Sequence, residues 1–267
     1  MVGENMSLPL WRFLCALVAT NLRSALALRG SFWLSMLFMA LNNLAFFVFW
    51  WILLGRVENV RGWRIADLEL LFGISAASFG LAVALAGGVV HLSRFIEDGT
   101  LDPLLCQPKP TLLYALGLRC QASGFGDLAS GIGMMALSGH LTWHSAPRVL
   151  LCTVLGAVGF VASGIVFFSL AFWLKRSHSL SRWLLDVTIT FSLYPEALFS
   201  GTLKLMLYTV LPAGIVAYLP LRVIREASLP HALLLLLLTA LYLRFALWAF
   251  GAGLKRYSSG SRFGVFG

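Results

Sequence analysis

The chain has 267 residues, of which 59% are hydrophobic and only 12% charged, and it carries a formal net charge of +9. Because soluble domains carry about 25% charged residues, this composition excludes a soluble globular protein and predicts an all-α protein with several membrane spans. In such a protein the positive charge reflects the excess of Lys and Arg in cytosolic loops, so we expect no nucleic-acid partner.

Residues 1–30 predict an amphipathic helix that lies in the membrane interface before the first span. Arg12 and Arg23 are separated by about three helical turns and share one face, so that apolar side chains can occupy the others. The compact apolar core and small-residue cleavage site of a signal peptide are missing. An amphipathic helix packed into the protein core is the alternative.

Six membrane spans are predicted, and they make residues 31–267 one transmembrane domain. Two of them are uncharged runs, 31–54 and 149–174, which at about 1.5 Å per residue can each cross a hydrocarbon core of about 30 Å. The other four spans are predicted at about 70–90, 120–141, 183–200 and 232–254.

Residues 201–225, before the last span, do not form one continuous apolar run. Lys204, Pro212 and Pro220 interrupt the segment, and broken apolar segments of this kind are typical of re-entrant helices buried against protein. An ordinary seventh span is the alternative.

The distribution of basic residues predicts the orientation of the chain. With the N-terminus in the cytosol, 12 Lys and Arg fall in cytosolic segments, 7 fall in external ones, and Arg244 falls within the last span. This bias predicts that both termini are cytosolic. Three arginines in the first external loop, Arg56, Arg61 and Arg64, run against it.

Small residues recur every four positions along the second predicted span, at Ala76, Gly80, Ala84 and Gly88. Such a stripe allows another helix to approach closely. Packing within the chain and packing across a dimer are both compatible with it.

Three ionisable residues are candidates for a role at membrane depth: Asp127, Glu196 and Arg244. Charges there are costly and often functional. We expect Asp127 to pair with a basic neighbour, and Glu196 to pair with Arg225. Arg244 either has a function in the membrane or extends to the inner headgroups.

Motifs for catalysis are missing, so we predict neither an enzyme nor a metal site. The sequence has no G-x-x-x-x-G-K-[ST] and no H-E-x-x-H. Asp98, Gly99 and Asp102 share a feature with membrane phospho-alcohol transferases, but the alanine, the arginine and the later aspartates of that signature are missing. A membrane-embedded lipid-modifying enzyme therefore remains the alternative to a transport protein, and a non-transporting assembly protein is a third possibility.

A compact acidic segment, RFIEDGTLDPLLCQPKP at residues 94–110, stands out in this apolar chain. It belongs to the predicted cytosolic loop 92–112. Gly99 should break a short helix, a second should start near Leu101, and Pro108 and Pro110 should end it. We expect a helical knob with a carboxylate rim and a face formed by Leu101, Leu104 and Leu105, suited to docking into a cytosolic partner.

The same residues resemble the ABC-2-like permease family, the membrane subunits of ATP-binding-cassette exporters. FIEDGTLDPLLCQPKP is similar to that family's loop I-R-x-G-x-L-D-x-x-L-x-x-P. Three further blocks follow in the family's order: Gly126-Asp127, the Tyr-Pro, Leu-Pro and Tyr-x-Pro succession from Tyr194 to Pro220, and GLKRYSSGS at 253–261. Asp98 departs from the pattern, which is often basic at that position.

The resemblance implies a permease that pairs with an identical or sister chain in the bacterial cytoplasmic (inner) membrane. Each chain would dock one of two P-loop ATPase subunits, and these subunits would bind ATP and Mg²⁺. The permease chain itself would bind no cofactor, and its other partners would be membrane lipids. Residues 94–108 would be the coupling helix, and export would follow from ATP-driven motion. The residues implied in coupling are Arg94, Ile96, Glu97, Asp98, Gly99, Thr100, Leu101, Asp102, Leu104, Leu105 and Pro108.

Overall fold

The computed structural model describes residues 9–56 and 63–258. Three predicted features fall partly outside this range: the first eight residues of the N-terminal helix, Arg61 of the first external loop, and the end of the motif at 253–261.

The described residues fold into twelve α-helices joined by short turns. In chain order the helices are α1 (Leu10–Ala27), α2 (Arg29–Arg56), α3 (Ile65–Ala86), α4 (Leu92–Glu97), α5 (Asp102–Leu105), α6 (Thr111–Gly117), α7 (Ser123–Leu137), α8 (Ala146–Phe168), α9 (His178–Ser192), α10 (Gly201–Thr209), α11 (Leu219–Glu226) and α12 (Leu229–Leu254). Tighter 3₁₀ turns connect α3 to α4 and extend α8, and a π-helical turn leads into α11.

Four helices are long and apolar enough to cross a membrane: Arg29–Ile52, Ile65–Glu97, Ala146–Phe172 and Leu229–Leu254. They coincide with four of the predicted spans. The second is continuous through its 3₁₀ turn into α4, so one rod runs from the start of α3 to the acidic segment.

The third and fifth predicted spans are shorter than the sequence indicates. Helices α7 and α9 have 15 residues each, or about 22 Å, so the predicted bounds 120–141 and 183–200 are wrong. Helix α7 ends shortly before Gly139, whose φ of +73° breaks a right-handed helix. Helix α9 starts earlier than predicted and ends at Ser192, before Pro195, because the residue preceding a proline disfavours helix.

Helix α3 lies at the centre of the molecule, where glycines bring α7 into backbone contact with it. A Cβ on Gly80 would lie 2.5 Å from the Gly124 carbonyl oxygen, and one on Gly131 would lie 2.6 Å from that of Gly73. Small residues are what allow helix backbones to pack this closely in membranes. Helix α2, in contrast, has only 6% of its span buried and presents an apolar outer face.

Helix α1 packs on α6, the helix that follows the acidic segment. The Asn21 side chain donates a hydrogen bond to the Gly117 carbonyl oxygen, the rings of Phe13 and Tyr114 meet edge to face at 5.3 Å, and the Lys109 ammonium lies 5.7 Å from the Phe13 ring centre. A helix therefore forms within the predicted range 1–30, and it contacts the end of the acidic segment.

Candidate functional site

The acidic segment folds as two short helices with a tight turn between them, as its glycine and prolines predict. Helix α4 ends at Glu97, and Gly99 adopts a φ of +71°, which a residue with a side chain rarely accepts. The turn closes when the Leu101 amide donates to the Phe95 carbonyl oxygen at 2.9 Å. Helix α5 then runs for one turn.

Apolar side chains of the segment point into the protein. Ile96, Leu101 and Leu104 are 7%, 0% and 8% exposed, so the predicted exposed leucine face is wrong for two of its three members. Only Leu105 stays exposed, at 38%. The reason is that α5, after the turn at Gly99, packs against α6, so that Leu101 and Leu104 face the core.

Polar side chains of the segment tie it to two other parts of the chain. The Glu97 carboxylate accepts from the amide and hydroxyl of Ser177, immediately before α9, at 2.8 and 3.2 Å. The Asp102 carboxylate accepts from the Tyr257 hydroxyl at 2.7 Å, just beyond α12. Partial burial and this hydrogen bond raise the pKa of Tyr257 above its ordinary value, so the phenol remains a donor.

The side chains of the segment that stay exposed form its outer rim, which we call the docking surface. Five of the residues implied in coupling are exposed and belong to it: Arg94, Asp98, Thr100, Leu105 and Pro108. The segment thus has an anchored inner side and a free outer side. Tyr257 was not singled out from the sequence, although two of the quoted motif blocks meet at its contact with Asp102.

Comparison with known protein families decides which class of membrane protein this is. The family described as ABC-2 family transporter protein matches residues 40–261, most of the chain. The chain belongs to the ABC-2 transporter family. Neither the curated proteins nor the solved structures yield a match.

As a member of this family, the ABC-2 protein is a multi-pass membrane permease of an ABC transporter. The family implies association with an ABC ATPase subunit. Among the described residues no group of three or more His, Cys, Asp and Glu side chains could hold a metal ion.

A second polar cluster of the permease surrounds Glu196, beyond the end of α9. Its carboxylate accepts from Arg222 at 2.7 and 2.8 Å, lies 2.9 Å from the Lys204 ammonium, and accepts from the Tyr208 hydroxyl at 3.0 Å. Burial opposes ionisation of this carboxyl, but the bonds from Lys204 and Arg222 outweigh it and hold the pKa of Glu196 below its ordinary value.

The predicted pairing of Glu196 with Arg225 is therefore wrong. Arg225 lies one turn farther along α11 than Arg222, and this places its guanidinium 3.2 Å from the Asp67 carboxylate at the start of α3. The two arginines of α11 thus bind two different acidic groups.

Asp127 in α7 is buried, and its predicted basic partner is also wrong. The contact is with Asn43 of α2, whose amide donates to Asp127 Oδ1 at 2.7 Å and to Ser130 Oγ at 2.9 Å. Helix α2 faces this part of α7 and carries no charge near it, so an amide takes the place of a cation. Arg244, by comparison, is exposed on the outer side of α12 among Leu241, Phe245 and Trp248.

The four small residues of the α3 stripe are buried inside this one chain. Gly80 packs on α7 and Gly88 packs on the Ala115 carbonyl of α6, while Ala76 and Ala84 are 8% and 3% exposed. Sequence reasoning missed the partner glycines on α7, Gly124 and Gly131. Their spacing of seven residues, the same as that of Gly73 and Gly80, was the available signal.

Proposed function

We propose that this permease couples ATP hydrolysis by a separate nucleotide-binding subunit to export of a substrate, and that residues 92–110 receive the ATPase. The observation that carries the proposal is the two-sided build of the segment: an outer rim free to bind a partner and an inner side bonded to the membrane helices. Two ATPase subunits carrying ATP and Mg²⁺ would serve two permease chains.

The bonds of the segment provide the route for coupling. It continues directly from α3, it holds the start of α9 through Glu97 and Ser177, and it holds the end of α12 through Asp102 and Tyr257. A push on the docking surface therefore reaches three membrane helices at once. Helix α1 would move as well, because it contacts Lys109 and α6.

The contacts of α9 support six spans despite its length. Its first residue, His178, contacts Ser93 of α4, next to the acidic segment, at 2.8 Å. Beyond its last turn Tyr194 packs on Trp50 near the far end of α2, with ring centres 5.2 Å apart. One end thus lies beside the proposed cytosolic loop and the other beside the opposite end of a long span. Helix α7, packed along α3, would cross in the same way.

Helices α10 and α11 would form a re-entrant pair on the external side. They bend by 79° at the break between them. Lys204 near the start of α10 and Arg222 beyond the bend both contact the Glu196 carboxylate. The start of α10 and the middle of α11 therefore lie close to each other. A single span would separate its ends by about 30 Å. With this pair on one side, six spans leave both termini in the cytosol.

A second permease chain would pack against α2, because only 6% of that span is buried against the rest of the described chain. The transport path would then lie between the two chains, in a bacterial cytoplasmic membrane.

Gentle extraction of the tagged chain from native membranes, with mass spectrometry of what co-purifies, tests the proposal. We expect a P-loop ATPase in stoichiometric amount, and a sister permease if the pair is a heterodimer. Recovery of the chain without any nucleotide-binding protein would contradict the proposal and favour a lipid-modifying enzyme or an assembly protein.

A further inference from the structure

A small cavity lies between α2, α3, α7 and α9, at the level of the buried Asp127. It has a volume of about 220 Å³, and its polar lining residues are Asn42, Asn43, Ser75, Asp127, Arg182, Asp186 and Ser192. It is distinct from both the docking surface and the Glu196 cluster, and neither the coupling route nor the external pair of helices uses it.

Asp127 lines this cavity, and one of its carboxylate oxygens has no partner among the described residues. Asp127 is only 3% exposed, and while Oδ1 accepts from Asn43, Oδ2 is buried and has no hydrogen-bond partner among the described residues. Leaving a buried acceptor of this kind unsatisfied costs about 1–3 kcal/mol, and more when it is charged. A ligand that donates to Oδ2 would recover that cost.

The basic residue that lines the cavity is already engaged. Arg182 Nε donates to both oxygens of Asp186, at 3.1 and 3.3 Å, one turn along α9. This pair is half exposed and neutral as a whole, and among the described residues no cation forms an ion pair with Asp127. Asn43 has committed its amide to Asp127 and Ser130. The missing group is thus a hydrogen-bond donor, and a cationic donor would also supply the opposite charge.

We propose that this cavity binds the ammonium headgroup of an amphiphile that the permease moves, with the salt bridge to Asp127 as the deciding contact. The cavity is smaller than the roughly 300–1,000 Å³ of sites that enclose whole ligands, so only the head enters. The tail lies along the outer face of α2, on the proposed transport path between the two chains, where Phe38 and Leu41, close to Asn42, are 61% and 48% exposed. This inference rests on the proposed transport function, because it identifies the class of substrate that the permease would move.

Binding to the full-length permease in micelles of an uncharged alkyl maltoside, which carries no ammonium and does not attract cations, tests this without any ATPase. The probes are dodecylammonium and the neutral dodecanol, and the readout is the ligand-dependent rise in the unfolding midpoint. A charge-assisted hydrogen bond predicts that the ammonium binds about 10- to 100-fold more tightly than the alcohol. Equal affinity for the two probes overturns the proposal, and this comparison needs no variant.

Asp127→Asn supplies the second comparison, because it keeps the shape and removes the charge. We expect it to lose the preference for the ammonium, whereas Asp98→Asn, the same change on the exposed docking surface, keeps it. An Asp127→Asn chain that folds and retains the preference also overturns the proposal. Adding phosphatidylethanolamine distinguishes the two sources of the headgroup. If this lipid competes with dodecylammonium, the site binds a membrane lipid; if it does not compete, the site binds a separate amphiphile.

The result is independent of the test of the transport function. A chain that co-purifies with an ATPase but does not distinguish the two probes keeps the proposed function and loses only this site.

Discussion

At the scale of single residues, three carboxylates differ in role because their surroundings differ. Glu196 is held by two cations, Asp102 by a phenol, and Asp127 by a single amide with one oxygen left over. Their spacing in the sequence indicates little of this, since Asn43 and Tyr257 come from distant parts of the chain and only Lys204 lies close to its partner. The partners are set by how the helices pack.

We predict that Tyr257→Phe loosens the acidic segment. Removing the hydroxyl deletes a hydrogen bond to a carboxylate, which at this half-exposed position should cost about 1 kcal/mol. Amide hydrogen exchange of residues 98–106 should accelerate about fivefold. Tyr114→Phe is the matched control, because it keeps the ring contact with Phe13, and it should leave the exchange unchanged. Equal acceleration in both variants would argue against the anchor.

The Glu196 cluster predicts a pH dependence. Because the pKa of Glu196 is lowered in the folded chain, its contribution to stability is present above the ordinary Glu pKa of about 4.3 and is lost as the pH falls through the lower folded value. Between pH 5 and about pH 3, the unfolding midpoint of the wild type should therefore fall more steeply than that of Glu196→Gln. Parallel curves would show that the cluster does not stabilise the fold.

At the scale of helices, we predict that two glycines of α7 differ sharply in how well they tolerate substitution by alanine. A Cβ on Gly131 would lie 2.5 Å from the Ala77 amide nitrogen, whereas one on Gly133 meets nothing within 4 Å. Gly131→Ala should lower the free energy of unfolding by about 1–3 kcal/mol through overpacking. Gly133→Ala should be neutral or slightly stabilising. Denaturant titration in mixed micelles measures both, and equal losses would contradict the close α3–α7 packing.

Helix existence could be predicted from the sequence better than helix length. The long uncharged runs predicted α2 and α8, and the apolar run around Arg244 predicted α12, because burial in lipid requires unbroken helix. The ends of α7 and α9 could not be predicted, because they depend on Gly139 and on the turn that precedes Pro195. In the acidic segment the turn at Gly99 was predictable, but the burial of Leu101 was not, since it follows from how α5 folds back on the core.

At the scale of the whole molecule, the acidic segment is where cytosolic and membrane parts meet. Leu101 and Leu104 pack in the core, while the exposed rim can bind a partner. Substitutions that probe coupling must therefore change the rim and spare the core. Leu101→Arg with Asp102→Lys would place charges in the core and remove the Tyr257 anchor, so it would not separate docking from folding.

The most direct test of the account is the effect of Leu105→Glu on the partner ATPase, with Leu137→Glu at the far end of α7 as control. Leu105 is exposed on the docking surface, and Leu137 is 72% exposed away from it. We expect Leu105→Glu to fold normally but to reduce ATPase co-purification and permease-stimulated ATP hydrolysis at least tenfold, with Leu137→Glu close to wild type. Wild-type recovery and stimulation in a folded Leu105→Glu chain would contradict the assignment of residues 92–110 as the ATPase docking segment.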